Sequence, residues 1–479
     1  MFIMRSIKII VCAALALLCA SGCKKDSITP SLVLSRTALY FSDWGAEPQT
    51  LTYVPTDAVQ VAVSSITSGW SASVNHSTCT VTIAPPASEE LGYEKTGMVL
   101  ITALSKDSVS KSYSIDVYIC DVASLDEAGP ANCYVVTEAG KNYRFAPQRP
   151  DGSLVEATSV KLLWQNYYGL IENPAIDSDG LISFFAYGED PGNALIAAYD
   201  AAGNVVWSWH IWVTSENPLT DVATYSNGKC YMTRNLGAYT NSNGSTDTQK
   251  IHDSYGLYYQ WGRKDPFRRP VDYKCSGGVG EDVVTLSGGY AETTVEQTSA
   301  TVGTVEYATA HPTVFIANEA AMADGEARVA DWLAVPNSML WGDGVLKSNY
   351  DPCPAGWRVP TAEELAVLSL SEAEDATDLN VARQQYGWHL TDHVGNYFYT
   401  GAGYYRYNDG ALENMNYKAD DLQAHPEPWQ GYYWSSTAAP DGRSKSLFFE
   451  LTTSRLINKC ENNYPSYRAN GMQVRCVKM

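Results

Sequence analysis

The chain has 479 residues, with 53 Asp and Glu against 33 Lys and Arg, for a formal charge of -20. So acidic a surface repels phosphate backbones and excludes a nucleic-acid footprint; it favours solubility and says nothing about fold. The length exceeds what one hydrophobic core organises and fits about three domains, and 32 Tyr, 13 Trp and 36 Gly with only 18% charged residues suit an extracellular β-rich protein.

Residues 1–22 read as a secretory signal. Arg5 and Lys8 form a basic start, Ile9 to Leu18 an apolar run, and Ala20, Ser21 and Gly22 lead to Cys23. The ending resembles a bacterial lipobox, with Ala20 where Leu is usual. The resemblance implies that Cys23 becomes the acylated N-terminus of an outer-membrane lipoprotein. Ordinary signal cleavage, leaving Cys23 unmodified, is the alternative. Several acyl chains hold a protein at a membrane where one holds it marginally. No later apolar run reaches the roughly 20 residues of a spanning helix. Cleavage deletes two cations and no acid, taking the charge from -20 to -22. Residues 23–31 form a polar tether. Its Lys24-Lys25-Asp26 resembles the surface-export signal of Bacteroidetes lipoproteins.

Residues 32–120 alternate apolar and polar positions at Val59–Val63, Cys79–Ile83 and Tyr113–Ile119, with turn residues at Pro55-Thr56-Asp57 and Pro85-Pro86. Short strands so spaced predict a β-sandwich. The opening Leu32-x-Leu34-Ser35, Leu39-Tyr40-Phe41 and Gly69-Trp70-Ser71 resemble a BACON-type domain, which implies a spacer or a glycan-binding module. Residues 121–217 predict a second β-sandwich. It opens at Asn132–Val136, and Asn193–Tyr199 is joined to Val205–Trp212 by Asp200-Ala201-Ala202-Gly203-Asn204, a hairpin turn. Along Val205–Trp212, Trp207, Trp209 and Ile211 share one face while His210 and Trp212 share the other. The aromatic face reads as core, and His210 as structural.

Residues 218–479 carry five separated blocks: Tyr231–Ala238, Tyr255–Phe267, Tyr350–Thr361, Gly401–Arg406 with Gly431–Thr437, and Gly471–Val477. In this order they resemble the Fibrobacter succinogenes major paralogous domain of Bacteroidetes lipoproteins and fimbria-associated proteins. The WRVPT block and terminal VRCV also resemble the C-type-lectin-like fold shared with formylglycine-generating enzymes. The expected architecture is therefore multidomain and mainly β, with two sandwiches followed by an α+β lectin-like part. Within it, Thr361-Ala362-Glu363-Glu364 is a capping box that starts a helix at Ala362.

Cys353 and Cys476 fall in the two strongest blocks, and the resemblance implies a disulfide between them; a reactive thiol is the rival reading. Cys79, Cys120, Cys133, Cys230, Cys275 and Cys460 remain without assigned partners, free to pair in an oxidising compartment. No C-x-x-C pair suggests zinc. Glu427-Pro428-Trp429 lacks the calcium-lectin pattern, and no Walker lysine follows Gly342-Asp343-Gly344. No cofactor or metal is expected. Adjacent acids such as Glu363-Glu364 and Asp420-Asp421 read as solvated surface, so no enzyme is expected. What remains is a loop-borne surface. Tyr404, Tyr405, Tyr407 and Trp429, beside Asn408 and Asp409, can stack on and hydrogen-bond to a glycan or anchor a protein. The expected role is a surface adhesin or binding module; a subunit of a fimbria-like assembly is the alternative.

Overall fold

The computed structural model describes residues 28–187, 190–271, 280–285, 288–291, 293–319, 329–342, 344–370, 384–413, 429–451 and 459–479. The architecture is multidomain and mainly β. Among the described residues no helix is long and apolar enough to cross a membrane.

The N-terminal unit is a sandwich of two four-stranded sheets. One contains Ser31–Leu34, Gln49–Thr56, Ser71–Asn75 and Thr80–Ala84, the other Ala38–Phe41, Gln60–Ile66, Thr96–Leu104 and Ser110–Ile119. Alternate side chains of each strand turn inward, so Leu51, Val81, Ile83, Val99, Ile101, Ile115 and Val117 close around Trp70. Ala38–Phe41 pairs parallel with Ser110–Ile119, Ala38 opposite Asp116 and Phe41 opposite Ile119.

The next unit is also a sandwich. A four-stranded sheet carries Val122–Ser124, Lys141–Phe145, Ile171–Ile176 and Ile182–Ala186. It faces a six-stranded sheet that includes Cys133–Val136, Ser159–Gln165, Gly192–Tyr199 and Val205–Val213. The hairpin at Asp200 forms, closed by Asp200 N–H to Asn204 O at 2.9 Å. Both faces of Val205–Val213 are buried, which is why the strand is nearly all apolar. Trp207, Trp209 and Ile211 enter the core between the two sheets, while Trp212 enters the core of the C-terminal half. His210 is buried with Nε2 2.8 Å from Asn193 Oδ1.

The expected division at residue 217 is not a break in packing. The six-stranded sheet is extended by Val283–Val284 and Tyr290–Ala291 from the C-terminal half. Cys133, Trp164, Leu195 and Trp212 share one core with Trp261, Trp332, Trp341 and Trp434. A double-sided apolar sheet needs cover on both faces, and residues beyond 217 supply the second cover.

The C-terminal half is closed by the end of the chain. Gly471–Gln473 pairs antiparallel with Tyr258–Gln260 and joins the meander Trp429–Ala438, Ser444–Leu451 and Lys459–Ser466. Val477–Lys478 lies between Cys230–Met232 and Trp357–Arg358. Cys353 and Cys476 are disulfide-bonded, Cα to Cα 6.1 Å. The capping box forms: Thr361 Oγ1 accepts from Glu364 N–H, and Glu364 from Thr361 N–H. Arg358 grips the same Glu364 bidentately at 2.8 and 2.6 Å.

Candidate functional site

The sequence blocks that carry the family resemblance build a buried polar spine. Gln260 donates to the carbonyls of Ile316 and Ala469, and Arg263 to Val314 O at 2.7 Å and Gln260 Oε1 at 2.9 Å. Arg475 lies 3.8 Å above the Tyr399 ring and donates to Asn235 Oδ1 and Phe398 O. Every such group is desolvated and needs partners. These blocks therefore specify architecture.

Ser208, Lys264 and Asp265 bring a hydroxyl, an amine and a carboxylate together. Ser208 Oγ donates to Asp265 Oδ1 at 2.6 Å, and Lys264 Nζ contacts both, at 2.6 Å to Asp265. A serine beside a lysine is a nucleophile–base pairing. All three are buried, however, and the adjoining cavity is about 10 Å³, room for one water at most. The triad is a packed, satisfied network.

Residues 404–413 form the predicted binding stretch. Tyr404–Tyr405 pairs with Leu412–Glu413, and Arg406 to Ala411 is the connecting loop, with Gly410 N–H to Arg406 O at 2.9 Å. Gly410 has φ of +65, and a Cβ there would sit 3.1 Å from both Phe315 and Val295, so the turn requires glycine. Arg406 is paired with Asp409 and Glu413. Asp409 is thus committed to the loop itself, its carboxyl held below the usual range chiefly by the Arg406 hydrogen bond.

The aromatic residues separate into different environments. Tyr405 is 6% exposed, its hydroxyl donating to Arg268 O at 2.8 Å and its ring against Tyr258 and Phe315. It belongs to the core, which corrects the expectation that it offers a stacking surface. The physical reason is its partner: Tyr405 lies opposite Gly471, which has no side chain to displace the ring. Tyr404 is half-buried, edge-on to Tyr432 at 4.8 Å. Tyr407 is half-buried against Tyr467 at 4.8 Å. Trp429 opens the strand Trp429–Ala438 opposite Leu451, and its side chain lies outside the description.

Beside Tyr407 the polar accounting does not close. Asn408 Oδ1 and Asn470 Oδ1 are both buried without a hydrogen-bond partner. The Tyr407–Tyr467 contact brings the two asparagines into one neighbourhood, since Asn470 N–H donates to Tyr467 O at 3.0 Å. Gln297 donates to Asn408 O at 2.9 Å, and Asn318 N–H to Tyr407 O at 2.7 Å. Gln297 and Asn318 also line an open cavity of about 550 Å³ with Asp331 and Leu333. Burial pushes the Asp331 carboxyl up to about 6 despite Arg468 Nη1 at 3.4 Å. Asn470 was missed in the sequence because only the tertiary contact of its neighbour Tyr467 with Tyr407 gives it significance.

Cys79, Cys120, Cys133, Cys230 and Cys460 are free thiols, and Cys275 and Cys23 lie outside the described residues. Burial pushes the Cys120 thiol up to about 11 and Cys460 up to about 12, leaving them poor nucleophiles. Among the described residues no group of three or more His, Cys, Asp and Glu is placed to hold a metal ion.

No family model matches the chain, and no curated protein matches it. Three of the similar solved structures match part of the chain at low similarity. A fragment of intimin is 9% identical over 38% of this chain and 99% of its own, at a TM-score of 0.14. The SGBP-B protein of the Bacteroides ovatus mixed-linkage glucan utilization locus, solved with a mixed-linkage heptasaccharide, is 14% identical over 39% of this chain and 48% of its own, at 0.14. The extracellular domain of protocadherin gammaB4 is 10% identical over 39% and 33%, at 0.15. Likeness at this distance carries nothing about function.

Proposed function

We propose that this is a lipid-anchored surface protein of the Fibrobacter succinogenes major paralogous type, tethered through Cys23, whose C-terminal half binds an extracellular glycan or surface protein without breaking bonds. The observation that carries the reading is the pair of unpartnered, buried amide oxygens of Asn408 and Asn470 beside the Tyr407–Tyr467 rings, with the Asn408 backbone joined through Gln297 to an open cavity. A buried acceptor without a donor costs about 1–3 kcal/mol. Sugar hydroxyls or peptide N–H groups are donors that remove that penalty on binding. Tyr407 offers a half-buried ring edge for the apolar face of such a ligand. The test is a glycan array and calorimetry on the full chain. Asn408→Ala and Asn470→Ala are expected to abolish binding; ligand capture at wild-type strength by both variants, or a blank array, defeats the proposal.

A second reading, a subunit of a fimbria-like assembly, has its own observation. Val335, Met339, Val345 and Leu346 stand 79, 59, 73 and 69% exposed within one short segment, and clustered apolar exposure favours association. Copurification of pilins that is lost on Val345→Asp and Leu346→Asp supports it.

A further inference from the structure

A cavity of about 610 Å³ lies at the junction of the first two sandwiches, far from the Asn408–Asn470 site in sequence. Small-ligand sites span roughly 300–1,000 Å³. One wall is the loop between Ala38–Phe41 and Gln49–Thr56, carrying Asp43, Trp44 and Glu47; the other carries Arg144, Asp177 and Asp179.

Both walls are held rigid. Gly45 has φ of +65, its N–H donates to Pro86 O at 2.8 Å, and a Cβ would meet Ala87 O at 2.9 Å. Trp44 N–H donates to Asp43 Oδ1 at 2.7 Å, and Trp44 packs partly on the sandwich core. Opposite, Arg144 Nε meets Asp177 Oδ2 at 2.5 Å, and the same guanidinium pairs with Asp179. The floor is a direct bond between modules: Asn173 Nδ2 donates to Tyr40 Oη at 2.9 Å, and Thr37 Oγ1 donates to Asn173 Oδ1 at 3.3 Å. Asn173 holds φ of +51 in an irregular stretch of its strand. Left-handed backbone at a non-glycine residue costs about 1–3 kcal/mol and persists where surroundings over-determine it. The Tyr118, Tyr40 and Phe185 rings, stacked 5.1 and 5.2 Å apart across the junction, lock the two modules together. The cleft is therefore preorganised.

We infer that this inter-module cleft binds a neutral oligosaccharide. Its lining supplies carboxylates, guanidiniums, amides and one indole, the combination that hydroxyl-rich rings use for bidentate hydrogen bonds and stacking. Four acids against two arginines (Arg36 and Arg144) give a net charge of minus two, which repels uronates, sulfates and phosphates. An apolar ligand would bury the Arg144–Asp177–Asp179 network without replacing its water, which is unfavourable.

The test is calorimetry on the full chain with neutral oligosaccharides (gluco-, manno- and xylo-hexaoses), oligogalacturonate, and a lysine hexapeptide. The expected result is saturable binding of a neutral hexaose. That binding weakens at least tenfold in Trp44→Ala and in Ser178→Trp, whose added ring obstructs the exposed rim. Matching thermal unfolding of Ser178→Trp and wild type separates obstruction from misfolding. Binding only of the galacturonate or the lysine peptide, no binding of any neutral sugar, or neutral binding that survives both cleft variants overturns the inference. Binding that is lost in Asn408→Ala and kept in both cleft variants supports the C-terminal site and overturns this one.

Discussion

Replacing Cys353 and Cys476 together with Ala isolates what the covalent link adds to the C-terminal half. The bridge spans 123 residues. In the chain-entropy account, closing a denatured loop of that length removes about 16 cal/mol/K, or about 5 kcal/mol at 25 °C. In the folded state the bridge constrains little, because Trp357–Arg358 and Val477–Lys478 already lie side by side in one sheet. The effect is therefore a release of the unfolded chain, with lost sulfur packing added at two fully buried positions. Urea melts followed by tryptophan fluorescence read it, since only Trp44 and Trp70 of the 13 Trp belong to the N-terminal sandwich. The expected outcome is a midpoint lowered by the equivalent of several kcal/mol, with hydrogen exchange of Thr96–Leu104 unchanged. Superimposable melts of wild type and double variant, both unreduced, would refute the reasoning.

Lys264→Met leaves Asp265 buried without its cation and should cost about 3–5 kcal/mol, while Lys264→Met with Asp265→Leu should recover most of that loss in thermal melts; a double variant no better than the single one contradicts this. Burial pushes the His210 imidazole down to about 3 from 6.5. The unfolded chain then takes a proton that the fold refuses, so this stability is intact above pH 6.5 and lost as pH falls toward 3. Asp331 has the opposite sign: its carboxyl, raised from 3.8 to about 6 mainly by burial, contributes fully below pH 3.8 and loses that contribution as pH rises through 6. Urea melts between pH 3 and 8 should show the first slope vanish in His210→Gln and the second in Asp331→Asn. Cys23→Ala should abolish incorporation of labelled palmitate in cells and release the protein from the membrane fraction; labelling that persists argues against the anchor.

The features legible in the sequence were those fixed by local chemistry. Alternation at Tyr113–Ile119 gives a strand, Asp200 with Gly203 a hairpin, and Thr361 with Glu364 a helix start, because each depends on neighbours within a few residues. The aromatic stretch Tyr404–Tyr407 was harder to apportion. Glycine-rich sequence reads as loop, yet Gly471, more than 60 residues on, makes room for Tyr405 in the core. The packing across residue 217 was hidden for a related reason: a largely apolar strand such as Val205–Val213 declares that both faces are covered without naming what covers them. Both candidate sites depend on such meetings, Tyr407 with Tyr467 and Tyr40 with Asn173.

The parallel pairing of Ala38–Phe41 with Ser110–Ile119 has a mechanical consequence for a protein held at its N-terminus and pulled through its C-terminal half. Once tension has passed Ser31–Leu34, it enters Ala38–Phe41 at its start and leaves Ser110–Ile119 at its end, so these two slide past one another and all the hydrogen bonds between them bear the load at once. An antiparallel pair gripped at one end would peel open bond by bond. The Ala38–Phe41 and Ser110–Ile119 pair is thus wired as a shear clamp against a pull along the chain.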